Sequence, residues 1–339
     1  MFSDLKGKSY LSTADLSSEV FSALIDLAIE GKKDKGFFGK PLAGKSVGLL
    51  FFNSSLRTRT SMAVAVHDLG GHAMVLDVSS SMWKLETRDG VVMSSDKPEH
   101  IKEAIGVLSS YVDIIGVRCF SDLTDYKKDR DDPLIRSIEK HSFVPVINLE
   151  SAMHHPCQSL ADMMTIKEKI GAIKGQKVVL SWAPHPKPLP LAVANSFALA
   201  SCQSGADLHI VNPKGYDLDE GFLAQWRKIA ISRGGNLTQS HNQEEAFSGA
   251  KIVYAKSWGS LAYYGQMQEE EKRRAHLGHW TIDKDKMART DGAYFMHCLP
   301  VRRNVVVTDE VIDSKSSVVI SQAANRLYGQ KAVLAAMMG

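Results

Sequence analysis

The sequence predicts an α/β protein built from two doubly wound parallel-sheet domains. Short apolar runs without polar alternation recur along the chain, segments of helical length separate them, and polar clusters follow the ends of the runs. Non-alternating apolar strands are those buried on both faces, the situation of a parallel sheet covered by helices. At 339 residues the chain exceeds one ordinary core, so about two domains are expected.

Val47–Phe52, His72–Leu76, Ile114–Val117 and Val144–Asn148 read as the strands of the first domain. Lys177–Trp182, His209–Asn212, Lys251–Tyr254, Tyr294–His297 and Ser317–Ile320 read as those of the second. Helices are predicted at Leu16–Gly31, Ser61–Gly70, Lys97–Val112, Asp132–Lys140, Gln158–Ile170 and Leu191–Ser204. The expected division is 1–150, 151–321, and a terminal helix, 322–339, packing back on the first domain. An active-site cleft is expected between the two domains.

In such sheets ligands sit beyond the carboxyl ends of the strands. Six polar clusters occupy that position: Ser54–Arg59, Arg118, Glu150 with His155 and Gln158, His185, Lys256–Trp258, and His297–Asn304. One alone could be an accident of a loop. Six make a binding site the better reading.

The run Asn53-Ser-Ser-Leu-Arg-Thr-Arg-Thr60 carries the most chemistry. It places Ser55, Arg57, Thr58 and Arg59 between a buried strand and a helix, where free N–H groups and the macrodipole favour an anion. Guanidinium forks add bidentate phosphate recognition. The competing interpretation is a well-capped helix with solvated arginines. The string Gly39-Lys-Pro-Leu-Ala-Gly-Lys-Ser46 matches GxxxxGK[ST] but leads into the first strand instead of following a strand and opening a helix, and no GxGxxG occurs, so a small phosphorylated substrate fits better than a nucleotide. Gly44 and Gly48 precede the first strand or lie in it, which removes a dinucleotide-dependent oxidoreductase from consideration.

Lys plus Arg number 41 against 38 acids, a balance that calls for no nucleic-acid partner. Cys119, Cys157, Cys202 and Cys298 lie far apart without a CxxC pair, so neither disulfides nor a zinc site are expected. No apolar run approaches the roughly 20 residues needed to span a bilayer, and the first residues lack the design of a signal peptide. A cytoplasmic protein without membrane contact is expected. Taken alone, His155 reads equally as a turn histidine, Cys298 as a small buried hydrophobe, and Trp83 as core or interface. His67, His72, His241 and His276 are assigned to structure or surface.

Together, Ser55-Leu-Arg-Thr-Arg59, His155-Pro-Cys-Gln158 and His297-Cys-Leu-Pro300 resemble the transcarbamylase family in order and approximate spacing, over nearly the whole chain. The resemblance implies transfer of a carbamoyl group from carbamoyl phosphate to an amine, without cofactor or metal. It also implies a homotrimer with active sites shared between neighbouring copies. Residues 1–150 would bind carbamoyl phosphate and 151–321 the amine substrate. Ser55, Leu56, Arg57 and Thr58 would hold the phosphate. Arg118, His155 and Gln158 would grip the carbamoyl end, Cys298 and Leu299 would lie beside it, and Arg326 would close the site. Trp83 would reach a neighbouring copy's phosphate site. Arg118, His155 and Cys298 form the implied catalytic set, with Cys298 a substrate neighbour rather than a nucleophile. A non-catalytic carbamoyl-phosphate-binding protein would keep the first motif and lose His155 or Cys298, and both are present.

The pair of second-domain runs of the ornithine branch, D-G-x-x-M and Ser-Met-Gly, is absent, and the surroundings of Lys84 differ from those of the aspartate branch. Met82–Gly90, Asp96–His100, Trp182–Pro190 and Tyr254–Trp258 instead look like the branch acting on N-acylated ornithines, which implies a knotted second domain. Glu150, His185, Lys256 and Arg302, together with Pro98, would then bind the acylated ornithine. Members acting on the acetyl compound resemble one another in a glutamate where Pro98 stands, an asparagine at Pro190, and a lysine that becomes carboxylated at Val306. All three departures favour N-succinylornithine over N-acetylornithine, because proline leaves room and no charge beside the extra carboxylate. Lys187, Lys256 and Arg302 could meet that carboxylate. The product would be N-succinylcitrulline, in arginine biosynthesis.

Overall fold

The computed structural model describes residues 2–78 and 82–339 and resolves into two compact units. The first comprises Met1–Ser121, Lys128–Cys157 and Arg326–Gly339, the second Asp122–Lys127 and Gln158–Asn325.

In the first unit, β1 (Ser46–Phe51), β2 (His72–Asp77), a short β3 (Leu85–Glu86), a short β4 (Glu99–His100), β5 (Ile114–Arg118) and β6 (Val146–Glu150) are the strands. The main sheet has the order β2-β1-β5-β6 and is parallel throughout, as the apolar runs predict. Leu50, Ile115, Val117 and Val146 pack against Ile101 and Ile105 of the helix Ile101–Ser109 and against Ile135 and Ile138 of Pro133–His141. Burial of each such side chain contributes roughly 1.5–3 kcal/mol. Gly116 must lack a side chain, since a Cβ there would lie 2.8 Å from Leu49 Cδ2 and 3.0 Å from Leu149 Cδ1. Arg326–Gly339 belongs to this unit through Lys331, paired with Asp68, and through the Gly7 N–H, donated to Met337 O at 2.9 Å.

β3 and β4 pair in parallel within the segment that carries Trp83 and Pro98. The buried Glu86 carboxylate organises it, accepting from the Thr87 and Arg88 backbone at 2.9 and 3.0 Å and pairing with Arg88 and Lys97. These hydrogen bonds, led by the Arg88 guanidinium, hold its carboxyl far below the usual carboxylate range.

The second unit contains β7 (Lys177–Trp182), β8 (Asp207–Val211), β9 (Asn236–Ser240), β10 (Ile252–Lys256) and β11 (Tyr294–Met296), ordered β11-β10-β7-β8-β9 and again parallel. The helix Ala192–Gln203 is buried on every face, which its Ala-rich composition permits. Trp182 Nε1 donates to Trp258 O at 3.1 Å and Trp258 Nε1 to Tyr216 O at 2.7 Å, so the large buried indoles are satisfied as polar groups too.

Several elements depart from expectation, among them the helix predicted from Lys97, which begins at Ile101 because Glu99–His100 forms β4. The apolar run predicted as a strand at Ser317–Ile320 instead opens the helix Val319–Met338, and only Ser317 bridges Phe295. β9 was hidden because an edge strand needs little apolar character, and only Leu237 of its residues is buried. The helix predicted from Ser61 begins at Leu56, which puts Arg57, Thr58 and Arg59 in its first turns.

Candidate active site

In the first unit Ser55 is the N-cap of the helix Leu56–Asp68, its Oγ accepting from Thr58 N at 3.2 Å. Leu56 is exposed and Arg57 half-buried in that first turn. The second arginine of the motif is otherwise engaged. Arg59 pairs with Asp77 at the end of β2 and lies 5.5 Å above the Phe51 ring.

Thr58 gathers two guanidinium groups from distant parts of the sequence. Arg326 Nη2 donates to its Oγ1 at 2.9 Å, and Arg118 Nη1 approaches the same oxygen at 3.5 Å. Arg118 is aimed by the end of β5, where a register irregularity between Val117 and Arg118 sets Arg118 opposite Glu150. Its Nη1 also pairs with Glu150 Oε2, and its guanidinium lies 4.4 Å above Phe120. His155 Nε2 stands 3.4 Å from the same Glu150 oxygen. Glu150, expected among the acylated-ornithine residues, thus makes these contacts with Arg118 and His155.

The turn presenting His155 is rigidly built. Asn148 Nδ2 donates to Leu11 O and Ser151 Oγ, both at 2.8 Å, while its Oδ1 accepts from Glu150 N at 2.9 Å. The Asp132 carboxylate accepts from Ser151 Oγ at 2.6 Å and Ala152 N at 2.8 Å. Burial raises its pKa to about 6, even against these hydrogen bonds. The unit therefore concentrates Ser55, Arg57, Thr58, Arg118, Glu150, His155 and Arg326. Trp83 and Pro98 lie on the 82–100 segment, where Trp83 is exposed and its Nε1 donates to Glu99 at 2.5 Å. Pro98 lines a surface hollow with Met93, Glu99, His100 and Lys102.

The second unit holds the other residues. His185 and Arg302 meet, with Arg302 Nε donating to His185 Nε2 at 3.1 Å. A guanidinium can only donate, so Nε2 accepts and is unprotonated, while Nδ1 lies 2.8 Å from Lys187 O and 3.1 Å from Lys187 N. Burial lowers the His185 pKa; the Lys187 hydrogen bond opposes this, and Arg302, Lys256 and Arg274 lower it further. Lys256 is buried at the end of β10. Such a cationic group suits a ligand bearing carboxylates. The His185 ring is expected to titrate below 6.5 by NMR, and Arg302→Gln to move that midpoint upward by removing a facing cation. An unmoved midpoint would show that Arg302 does not act on the ring.

Gln158 is buried, its Nε2 donating to Asp162 at 2.8 Å. Cys298 is half-buried and interacts with the Tyr254 hydroxyl. Leu299 follows at φ 55° and donates its N–H to His297 Nδ1 at 2.9 Å. Val306 is buried, its N–H bonded to Arg302 O at 2.9 Å. Asp162 and Arg274 were not anticipated. A lone acid within a helix, and an arginine in the charged run Met267–Arg274, carry no signal in the sequence that they are buried.

The comparisons with known proteins agree with this arrangement. Residues 8–168 match the carbamoyl-P binding domain of aspartate/ornithine carbamoyltransferase, and residues 191–337 match its Asp/Orn binding domain. The chain belongs to the aspartate/ornithine carbamoyltransferase family and is a carbamoyltransferase. It is 44% identical to the N-acetylornithine carbamoyltransferase of Xanthomonas campestris pv. campestris, over 98% of both chains. To the N-succinylornithine carbamoyltransferase of Bacteroides fragilis it is 42% identical, over 96% of this chain and 97% of the other. Among solved structures it is similar to a glutamate-to-proline mutant of N-acetyl-L-ornithine transcarbamylase complexed with carbamyl phosphate and N-succinyl-L-norvaline. That likeness has a TM-score of 0.94 and 44% identity, covering 97% of this chain and 99% of that one. The TM-score is also 0.94 for acetylornithine transcarbamylase complexed with acetylcitrulline, with 44% identity and coverage of 98% and 99%.

Proposed function

We propose that this enzyme acts on an N-acylated ornithine and transfers the carbamoyl group of carbamoyl phosphate to the side-chain amine of N2-succinyl-L-ornithine. The products are N-succinylcitrulline and phosphate. The observation that carries the choice of acyl group is Pro98, an uncharged residue where members acting on the acetyl compound resemble one another in a glutamate. The glutamate-to-proline mutant of the acetylornithine enzyme, complexed with N-succinyl-L-norvaline, supports it. Pro190 and Val306 point the same way. N-acetylornithine is the second reading, since relatives of both names lie at 42–44% identity and the difference decides nothing.

In this reading, phosphate rests on the first turn of the helix Leu56–Asp68, on the backbone N–H groups and side chains of Ser55–Thr58. Arg57 and Arg118 balance its charge, and Arg326 closes over it through Thr58. The unprotonated amine attacks the carbamoyl carbon. Thr58, Arg118 and His155 donate to the carbonyl oxygen as charge develops there, each worth about 3 kcal/mol by analogy with other oxyanion holes. The C–O bond to phosphate then breaks, the electron pair leaves with phosphate, and an amine proton passes to a phosphate oxygen. Lys256 and Arg302 hold the carboxylates of the acylated ornithine, and His185, accepting from Arg302, orients that guanidinium. Gln158, Cys298 and Leu299 line the carbamoyl end. The protein works as a cytoplasmic homotrimer in which Trp83 serves a neighbouring copy's site.

Purified protein given carbamoyl phosphate with ornithine, N-acetylornithine or N-succinylornithine should turn over the succinyl compound best. Preference for the acetyl compound would overturn the specificity, and no turnover would overturn the substrate class. Pro98→Glu is expected to move the kcat/KM ratio toward N-acetylornithine by at least about tenfold, the scale of one repulsive charge near 1.4 kcal/mol. An unchanged ratio would remove the charge argument.

A further inference from the structure

Asp162, in the helix Pro156–Ile170, is fully buried, and its Oδ1 accepts from Gln158 Nε2 at 2.8 Å and Gln322 Nε2 at 2.7 Å. Tyr254 lies near this carboxylate, whose charge, after burial itself, helps to raise the phenol's pKa. Tyr254 and Gln322 are fully buried as well, and Gln158 nearly so. Two amide donors converging on one oxygen in a dry interior suit an ionised carboxylate, which accepts and never donates.

That one-sidedness has a chemical result. A glutamine amide beside a neutral donor–acceptor group can flip with little penalty, exchanging its oxygen and nitrogen. Facing a carboxylate it cannot, because oxygen against oxygen would leave a buried group unpaired. Gln322 obeys the constraint, turning its Nε2 to Asp162 while its Oε1 accepts from His297 N at 3.0 Å. Gln158 is held in the same sense, with Nε2 toward Asp162.

We infer that Asp162 is a positioning residue that fixes the amide polarity of Gln158, so that its Oε1 accepts a hydrogen bond from the NH2 of carbamoyl phosphate. The inference rests on the reading of Gln158 as a carbamoyl contact. The NH2 group distinguishes carbamoyl phosphate from an acyl phosphate of the same shape, and an acceptor locked in place selects for it.

The test uses two stable phosphonates that differ only there: phosphonoacetamide, which has the NH2, and acetonylphosphonate, which has a methyl instead. The parent enzyme should bind the amide more tightly. Asp162→Asn offers Gln158 a donor as well as an acceptor, and should reduce that preference about three- to tenfold, the scale of one neutral hydrogen bond. Affinity for acetonylphosphonate should stay close to the parent value. The double variant Asp162→Asn with Gln158→Glu reverses the donor and acceptor, and should recover the preference while keeping one negative charge at the pair. It also serves as the test if the single variant does not fold. Equal weakening of both ligands, or no recovery in the double variant, would overturn the role of Asp162. A parent enzyme that binds both phosphonates without discrimination would overturn the carbamoyl reading of Gln158 itself, and the positioning role with it.

Discussion

Arg118→Met is expected to lower kcat/KM by at least about a thousandfold, because in the proposed mechanism one side chain serves both the developing oxyanion and the leaving phosphate. Loss of a single oxyanion donor costs about a hundred- to a thousandfold in other enzymes, and the lost charge adds to that. Stability should fall as well. Arg118 and Glu150 are both largely buried and paired, and removing one partner strands the other at a cost of about 3–5 kcal/mol. The double variant Arg118→Met with Glu150→Gln separates the two effects. It should regain most of the melting temperature and none of the activity. Activity within tenfold of the parent in either variant would remove Arg118 from the reaction.

Arg274→Met should be the most destabilising substitution in the second unit. The Arg274 and Glu270 side chains are 1% and 3% exposed and lie 3.3 Å apart. The guanidinium lies 5.2 Å from the Trp182 ring and 5.4 Å from Tyr216, and donates to Ser257 Oγ at 3.2 Å and Trp258 O at 3.0 Å. It therefore anchors the residues that follow Lys256. Methionine fills part of the volume and strands Glu270, again a loss of about 3–5 kcal/mol, or a fall in Tm on the order of 10 °C. Burial already raises the Glu270 pKa while Arg274 opposes it. Without the guanidinium the ionised carboxylate is the costly species, so the deficit should grow as pH rises through the folded-state pKa and shrink in acid. Calorimetry at acidic and neutral pH would check both the size and the sign. A deficit that grew in acid would refute the assignment.

Much of this architecture is legible in the residues because parallel strands announce themselves. Val47–Phe51 or Val178–Trp182 cannot be amphipathic, and the polar residues that follow them stand where ligands gather. Elements with little apolar character are invisible by the same logic. β9 is a polar edge, and the helix ending at Arg274 buries an ion pair rather than leucines. The run Leu56–Thr60 shows no helical period because its inward residue is Thr58, chosen for its hydroxyl. Site residues followed motifs, so those whose importance lies in a partner were missed. Nothing local to Asp162 or Glu150 tells which side chain each will hold, since Gln322 and Arg118 reach them from 160 and 32 positions away. The strand read at Ser317–Ile320 failed for a related reason. An apolar run too short for periodicity serves equally as the first turn of a buried helix.

The bond from Arg326 to Thr58 spans 268 positions, and the unit it completes is interrupted by nearly all of the other. On the ribosome, where domains ordinarily fold as they emerge, the helix Leu56–Asp68 is made before the second unit, and Arg326 only after it. A nascent chain lacking residues beyond 325 has the cap and Arg118 beside Thr58 but not the shorter bond from Arg326. The pair of guanidinium groups on that hydroxyl is in this sense complete only once the whole second unit has been made.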